Sequence, residues 1–221
     1  MTSPTTIAED VEVLHQELAR QIPDQVLSPL FAEQKTLDAA GVPEAVAKAG
    51  SAMPDGDLLD AHGRATTLTA ARAGKPAVVV FYRGAWCPYC NIALRNYKAN
   101  LAPELDARGI ALIAVSPQKP DGTQSMAEKN DLTFTVLSDP GNQIASALGI
   151  LTAPTEDVRG SLHATGVDLP ALNSDGTYAL PMVTVAVVDA AGVIRWIDVA
   201  PNHARPTEVA EIISALDSVL S

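Results

Sequence analysis

Cys87 and Cys90 are the only cysteines in the 221 residues, and they close the stretch Phe81-Tyr82-Arg83-Gly84-Ala85-Trp86-Cys87-Pro88-Tyr89-Cys90. On a helix, the Cys-x-x-Cys spacing sets the second sulfur one turn behind the first, close enough for a disulfide to open and close without large backbone movement. The first N–H groups of a helix lack intrahelical partners and the dipole there is positive, so a thiolate is favoured over a thiol. Pro88 suits the first helical position, where no N–H is needed. Zinc would require about four ligands, and His15, His62, His163 and His203 are scattered singly. Two inert core cysteines are the plainer alternative, but inertness gives no reason for this spacing directly after Trp86. Reversible dithiol chemistry is therefore the expectation.

The surrounding elements must hold the pair at a strand-to-helix junction. The apolar run Ala77-Val78-Val79-Val80 predicts a strand over 77–82 buried on both faces, and Ile92, Leu94, Tyr97 and Leu101 predict a helix over 88–100. A second buried strand over 109–115 completes a parallel, right-handed crossover. Further on, the sequence predicts a helix over 121–130, a strand over 134–137 and a short helix over 142–148. Residues 183–188 and 193–199 read as a hairpin joined by Asp189-Ala190-Ala191-Gly192. Thr207 is the expected cap of a last amphipathic helix carrying Val209, Ile212, Ile213, Leu216 and Leu220. The Pro, Gly, Asp and Ser content of 151–180 predicts a long irregular surface loop.

Upstream, residues 5–50 read as helical. Ile7, Val11, Leu14, Leu18 and Ile22 form one stripe, Pro23-Asp24 breaks it, and a second segment runs to about Gly41. Pro43-Glu44-Ala45 is expected to start a short third helix. Such a stripe ordinarily packs on its own domain; a homodimer contact is the sharper alternative. Residues 51–75 predict a turn or short edge hairpin, with 64–68 the most strand-like piece. The sum is an α/β, thioredoxin-like fold, a central mixed sheet flanked by helices over 51–221, with an N-terminal helical extension over 1–50.

The net charge of -11 disfavours nucleic acid and anionic membrane surfaces as partners. The first residues lack the basic and apolar regions of a signal peptide, and no apolar run approaches the roughly 18 residues of a membrane helix. The expected setting is soluble and cytoplasmic, where a lone vicinal dithiol is more plausibly catalytic than a structural staple.

Several motifs resemble the peroxiredoxin-like branch of the alkyl hydroperoxide reductase/thiol-specific antioxidant (AhpC/TSA) superfamily. They are Pro54-Asp55-Gly56-Asp57-Leu58, the Phe81 to Cys90 stretch, Ala114-Val115-Ser116-Pro117-Gln118, Leu137-Ser138-Asp139, and Val187-Val188-Asp189 with Gly192. The resemblance implies a thiol-dependent antioxidant oxidoreductase, with a peroxide substrate, a thioredoxin-like reductant and no metal or organic cofactor. In the family pattern Phe-Tyr-Pro-x-x-Phe-Thr-Pro-x-Cys the attacking cysteine falls on Cys90, the threonine on Cys87 and the proline on Arg83. The peroxide-polarising arginine of a later strand falls on Val183. The tetrapeptide Cys87-Pro88-Tyr89-Cys90 instead resembles glutaredoxin, where the first cysteine attacks, and the cis-proline of that pattern also falls on Val183.

Three activities fit these residues: a thiol peroxidase, a general disulfide reductase, and a non-catalytic redox sensor or binding module. Both catalytic readings need a low-pKa thiolate, exposed in the case of disulfide exchange, and a second thiol beside it. A peroxidase also needs a donor that polarises the O–O bond. Arg83 is the candidate donor, and a solvated loop cation is its plainer role. Trp86, Pro88 and Tyr89 are candidates for contacting substrate or shielding the dithiol. Cys87, at the helix start and nearest Arg83, is the expected nucleophile; Cys90, a turn inside, is expected to be more shielded.

Overall fold

The computed structural model describes residues 6–220. The chain opens with helices α1 (Ile7–Gln21) and α2 (Asp24–Ala40), then strands β1 (Leu58–Asp60) and β2 (Ala65–Thr66) and helix α3 (Leu68–Arg72). Strand β3 (Ala77–Phe81) leads into α4 (Pro88–Asn96), a π-helical turn (Tyr97–Leu101) and α5 (Ala102–Ala107). Next come β4 (Ala111–Ser116), α6 (Pro120–Lys129), β5 (Thr135–Ser138), α7 (Gln143–Ala147), β6 (Leu151–Thr152), α8 (Glu156–Ala164) and α9 (Leu169–Leu172). The chain ends with β7 (Leu180–Pro181), β8 (Val183–Val188), β9 (Ile194–Ala200) and α10 (Val209–Val219).

Seven strands form one mixed sheet in the order β2-β1-β5-β4-β3-β8-β9. β3, β4 and β5 are parallel, and β8 returns antiparallel to β3, with Val80 opposite Val185. Side chains alternate across a strand, so β3 feeds two cores. Val78 and Val80 pack with Leu94, Tyr97, Leu101 and Ile212 on one face, while Ala77, Val79 and Phe81 pack with Leu58, Leu68, Ile144 and Leu148 on the other. Burial on both faces explains why the run has no polar alternation.

The two N-terminal helices lie on the face that carries α4. Thr6 and Glu9 close a capping box on α1, and Ile7 and Val11 enter the same core as Leu94. The Glu208 carboxylate accepts the N–H groups of Ile7 at 3.1 Å and Ala8 at 2.8 Å, so one anion serves the positive end of α1 as well as the start of α10. α2 packs against α8. The observed architecture is the thioredoxin-like mixed sheet flanked by helices that the sequence predicts, with the N-terminal helices present.

Several local expectations are corrected. Residues 41–50 hold no helix. Their N–H groups are drawn to distant partners, Ala47 donating to the Leu148 carbonyl and Gly50 to that of Ile194, so the segment is a strap across the sheet. α3, capped by Thr67, follows the expected edge hairpin and was not legible in the sequence. Residues 151–180 are not an irregular loop but contain α8, α9 and the short β6–β7 ladder. Gly160 and Ser161 are weak helix formers in α8, and contact with α2 supplies what propensity lacks. The cap of α10 is Glu208, paired reciprocally with Glu211, while the Thr207 hydroxyl donates to Asp198. The expected helix over 88–100 is interrupted by the π turn.

Candidate active site

Cys87 is the N-cap of α4 and Pro88 its first helical residue. The loop that delivers Cys87 from β3 is fixed by side chains from outside it. Gly84 has φ of 152°, and a Cβ there would lie 2.5 Å from Trp86 Nε1 and 2.8 Å from Gln118 Cδ, so only glycine fits. That close approach lets Gln118 Oε1 accept the Ala85 N–H at 2.6 Å. Asn91 Nδ2 donates to the carbonyls of Ala85 (2.9 Å) and Cys87 (2.7 Å), and Asn130 Nδ2 donates to Asn91 Oδ1 at 2.8 Å. A chain of buried amides thus holds the junction rigid.

Cys87 and Cys90 are free thiols that approach to 2.9 Å. Their exposures are 0% and 1%, so the expectations of an exposed thiolate and of a more shielded Cys90 are both corrected: both cysteines lie in the core cluster with Tyr89 and Val183, and Trp86 packs against it. Burial works against a thiolate at Cys87, but a hydrogen bond from Cys90, the Arg83 charge, and the N–H groups of Cys90 and Tyr89 outweigh it, bringing the pKa down to about 7. Burial pushes Cys90 well up, and its hydrogen bond to Cys87 and the Cys87 charge push it further. The N-terminal thiol is thus the more readily ionised of the two, and the thiol one turn inside is placed to donate to it.

Arg83 is not a solvated cation. It is 6% exposed, its guanidinium sits 4.8 Å from the centre of the Trp86 ring, and no carboxylate among the described residues pairs with it. Tyr89 is buried with its hydroxyl bonded to His15 Nε2 (3.1 Å) and Gln34 Nε2 (3.3 Å). Gln34 Nε2 also meets His203 Nε2 at 3.3 Å, and His203 is held neutral, first by burial and then by the Arg83 charge. His15, Gln34, His203, Gln118, Asn91 and Asn130 all escaped the sequence reading. Gln118 alone carried a signal, as the last residue of the motif 114–118. Val183, where both family patterns differ from this chain, is a buried neighbour of the dithiol.

Beside the dithiol loop lies a cavity of about 230 Å³ walled by Leu18, Leu30, Phe31 and Leu162, with Arg83, Trp86 and Tyr89 on its other side. Among the described residues no cluster of His, Cys, Asp or Glu is arranged to hold a metal ion, and no helix is long and apolar enough to cross a membrane.

The mixed sheet and the dithiol at the head of its first core helix define a thioredoxin-fold protein with a vicinal cysteine pair. Residues 49–197 match the AhpC/TSA family, and the chain belongs to that family. It is 33% identical over 103 residues to peroxiredoxin Bcp of Escherichia coli (strain K12), a match covering 47% of this chain and 65% of that one. It is 34% identical over 107 residues to the thiol-disulfide oxidoreductase ResA of Geobacillus thermodenitrificans, covering 48% of this chain and 60% of that one. The matches thus span under two thirds of these relatives' length. Among solved structures, reduced Prx3 of Vibrio vulnificus in complex with H2O2 superposes with a TM-score of 0.62 at 20% identity, covering 77% of this chain and 99% of that one.

Proposed function

We propose that the protein is a thiol peroxidase in which Cys87 attacks and Cys90 resolves. The observation that carries this reading is the asymmetry of the pair: a pKa of about 7 at Cys87 beside Arg83, a raised pKa at Cys90, and an approach of 2.9 Å with both sulfurs buried. A small oxidant suits such burial better than a protein disulfide, which must bring its own sulfur to an atom without exposed surface. The Cys87 thiolate attacks the terminal oxygen of a peroxide ROOH; the S–O bond forms, the O–O bond breaks, the sulfenic acid keeps the hydroxyl proton, and the alkoxide leaves as ROH after taking a proton from solvent. Arg83 favours the thiolate before the step and the charge on the departing oxygen during it. The Cys90 thiol then attacks the sulfenic sulfur, releasing water and leaving the Cys87–Cys90 disulfide. A thioredoxin-like dithiol supplies the two electrons that restore both thiols, which suits a reducing, cytoplasmic setting.

The alternative is dithiol exchange with small disulfides. It is supported by the order of the two pKa values, which follows the glutaredoxin-like pattern, and by the likeness to a thiol-disulfide oxidoreductase.

Stopped-flow rates with hydrogen peroxide and with hydroxyethyl disulfide, on wild type and both Cys→Ser variants, separate these readings. Cys90→Ser is expected to react with peroxide and hold a sulfenic acid on Cys87, while Cys87→Ser slows by about 100-fold or more. The thiolate is the reactive form, so the peroxide rate rises with pH through about 7 and levels above it. Unchanged peroxide reactivity in Cys87→Ser would make Cys90 the nucleophile. A wild type that reduces the disulfide faster than the peroxide would favour exchange.

A further inference from the structure

Arg83 is the only formally charged side chain on the cavity beside the dithiol, whose other polar groups are neutral and whose remaining wall is largely apolar. A guanidinium 6% exposed needs a counter-charge, and among the described residues no carboxylate provides one. In the reduced protein the neighbouring Cys87 thiolate is the available anion. Oxidation takes it away: the two sulfurs give two electrons to a peroxide, which takes the Cys90 proton and one from solvent and leaves as alcohol and water, and the resulting disulfide is neutral. The guanidinium then faces an apolar cavity without a partner.

We propose that this cavity binds a small amphipathic carboxylate, its head paired with Arg83 and its hydrocarbon against Leu18, Leu30 and Leu162, more tightly when Cys87 and Cys90 form a disulfide than when Cys87 is a thiolate. A carboxylate fits the fork of an arginine through two parallel hydrogen bonds, and the leucine wall favours a hydrocarbon tail over a small inorganic anion. Linkage makes the effect reciprocal, so the same ligand favours the oxidised dithiol. The redox dependence rests on the disulfide of the proposed function, but the anion site does not, because any change that removes the thiolate should open it.

Calorimetric titration of sodium octanoate into the full chain tests this in three forms: reduced, oxidised with no titratable thiols, and Cys87→Ser. At pH about 8.5, where a Cys87 pKa of about 7 leaves the reduced protein almost wholly thiolate, the oxidised protein and Cys87→Ser should each bind octanoate roughly tenfold or more tighter than the reduced protein. Octan-1-ol should bind all three alike. In the oxidised protein Arg83→Gln should lose octanoate but keep octan-1-ol, and Leu30→Trp, which fills the cavity, should lose both. Equal octanoate affinity in reduced protein and Cys87→Ser overturns the proposal, as does full binding in Leu30→Trp. If Arg83→Gln does not fold, the octanoate and octan-1-ol comparison in Cys87→Ser still decides whether the head group matters. Failure of wild type to form the disulfide would refute the proposed function and leave the Cys87→Ser result to judge the site.

Discussion

The central strands and the N-terminal helices bury their residues to very different extents. Every residue of β3 and β8 is buried, whereas α1 buries only Ile7 and Val11, and α2 only Leu27 and Gln34. The strands hold the chain together through two packed faces; the helices, half-wet, supply the far side of the active site, with His15 and Gln34 on Tyr89 and Leu18, Leu30 and Phe31 on the cavity. The family match begins at residue 49, so Leu18, Leu30 and Phe31 of the cavity wall come from a part of the chain outside it, while Leu162 comes from within it. The scaffold and much of the cavity wall are thus built by separate stretches of sequence.

The harshest way to probe that division is Val79→Asp. Val79 is 0% exposed in the middle of β3, and an unpaired carboxylate there costs on the order of 3–5 kcal/mol, much of the total stability of an ordinary domain. Near-UV circular dichroism should show no fixed tertiary structure; a folded variant would mean the sheet is not the scaffold. Removing residues 1–50 should be milder. The sheet persists, and although the burial of Ile7, Val11, Leu27 and Val46 is lost, the conformational entropy of ordering that segment is no longer opposed to folding, so the net loss is smaller than that of an unpaired charge in β3. A soluble chain with a cooperative transition at lower Tm and an unchanged thiol titration is expected. Aggregation would make the helices part of the core and end the distinction. Gln34→Leu should have the smallest effect: it removes hydrogen bonds to Tyr89 and His203 while Tyr89 keeps His15, a loss of about 1–2 kcal/mol readable as a shift of a few degrees in Tm. A loss of folding in Gln34→Leu would place that buried amide among the structural determinants.

What the sequence made legible follows the same division. β3, β4 and β8 announce themselves because burial on both faces writes unbroken apolar runs, and α1 and α10 because one-sided packing writes stripes. Residues 151–180 stayed illegible because α8 owes its helix to α2 rather than to its own Gly160 and Ser161. Thr207 misled because a glutamate pair one residue on makes the better cap. At the site, Cys87, Cys90, Trp86 and Tyr89 were readable together because they are adjacent in the chain. Gln34, Gln118, Asn130 and His203 are single polar residues far apart, and only folding gathers Gln34 and His203 around Tyr89, and Gln118 and Asn130 around Ala85 and Asn91. Arg83 was visible as a charge, but its burial against Trp86 was not.

The π turn at Tyr97–Leu101 has a consequence for the history of the chain. A π turn is an α-helix that has accepted one extra residue without changing its ends. Here the wide turn carries Tyr97, whose hydroxyl donates to the Thr207 carbonyl at 2.6 Å and ties the dithiol helix to the approach of α10. Deleting a single residue within the turn would restore α-helical hydrogen bonding and leave Leu105 in the core it fills, whereas a deletion in the regular turns on either side would rotate everything downstream by about 100°. The π turn is therefore the one place in this helix where a single-residue change is absorbed without a loop, and an alignment with relatives whose helix is regular requires a gap inside a helix.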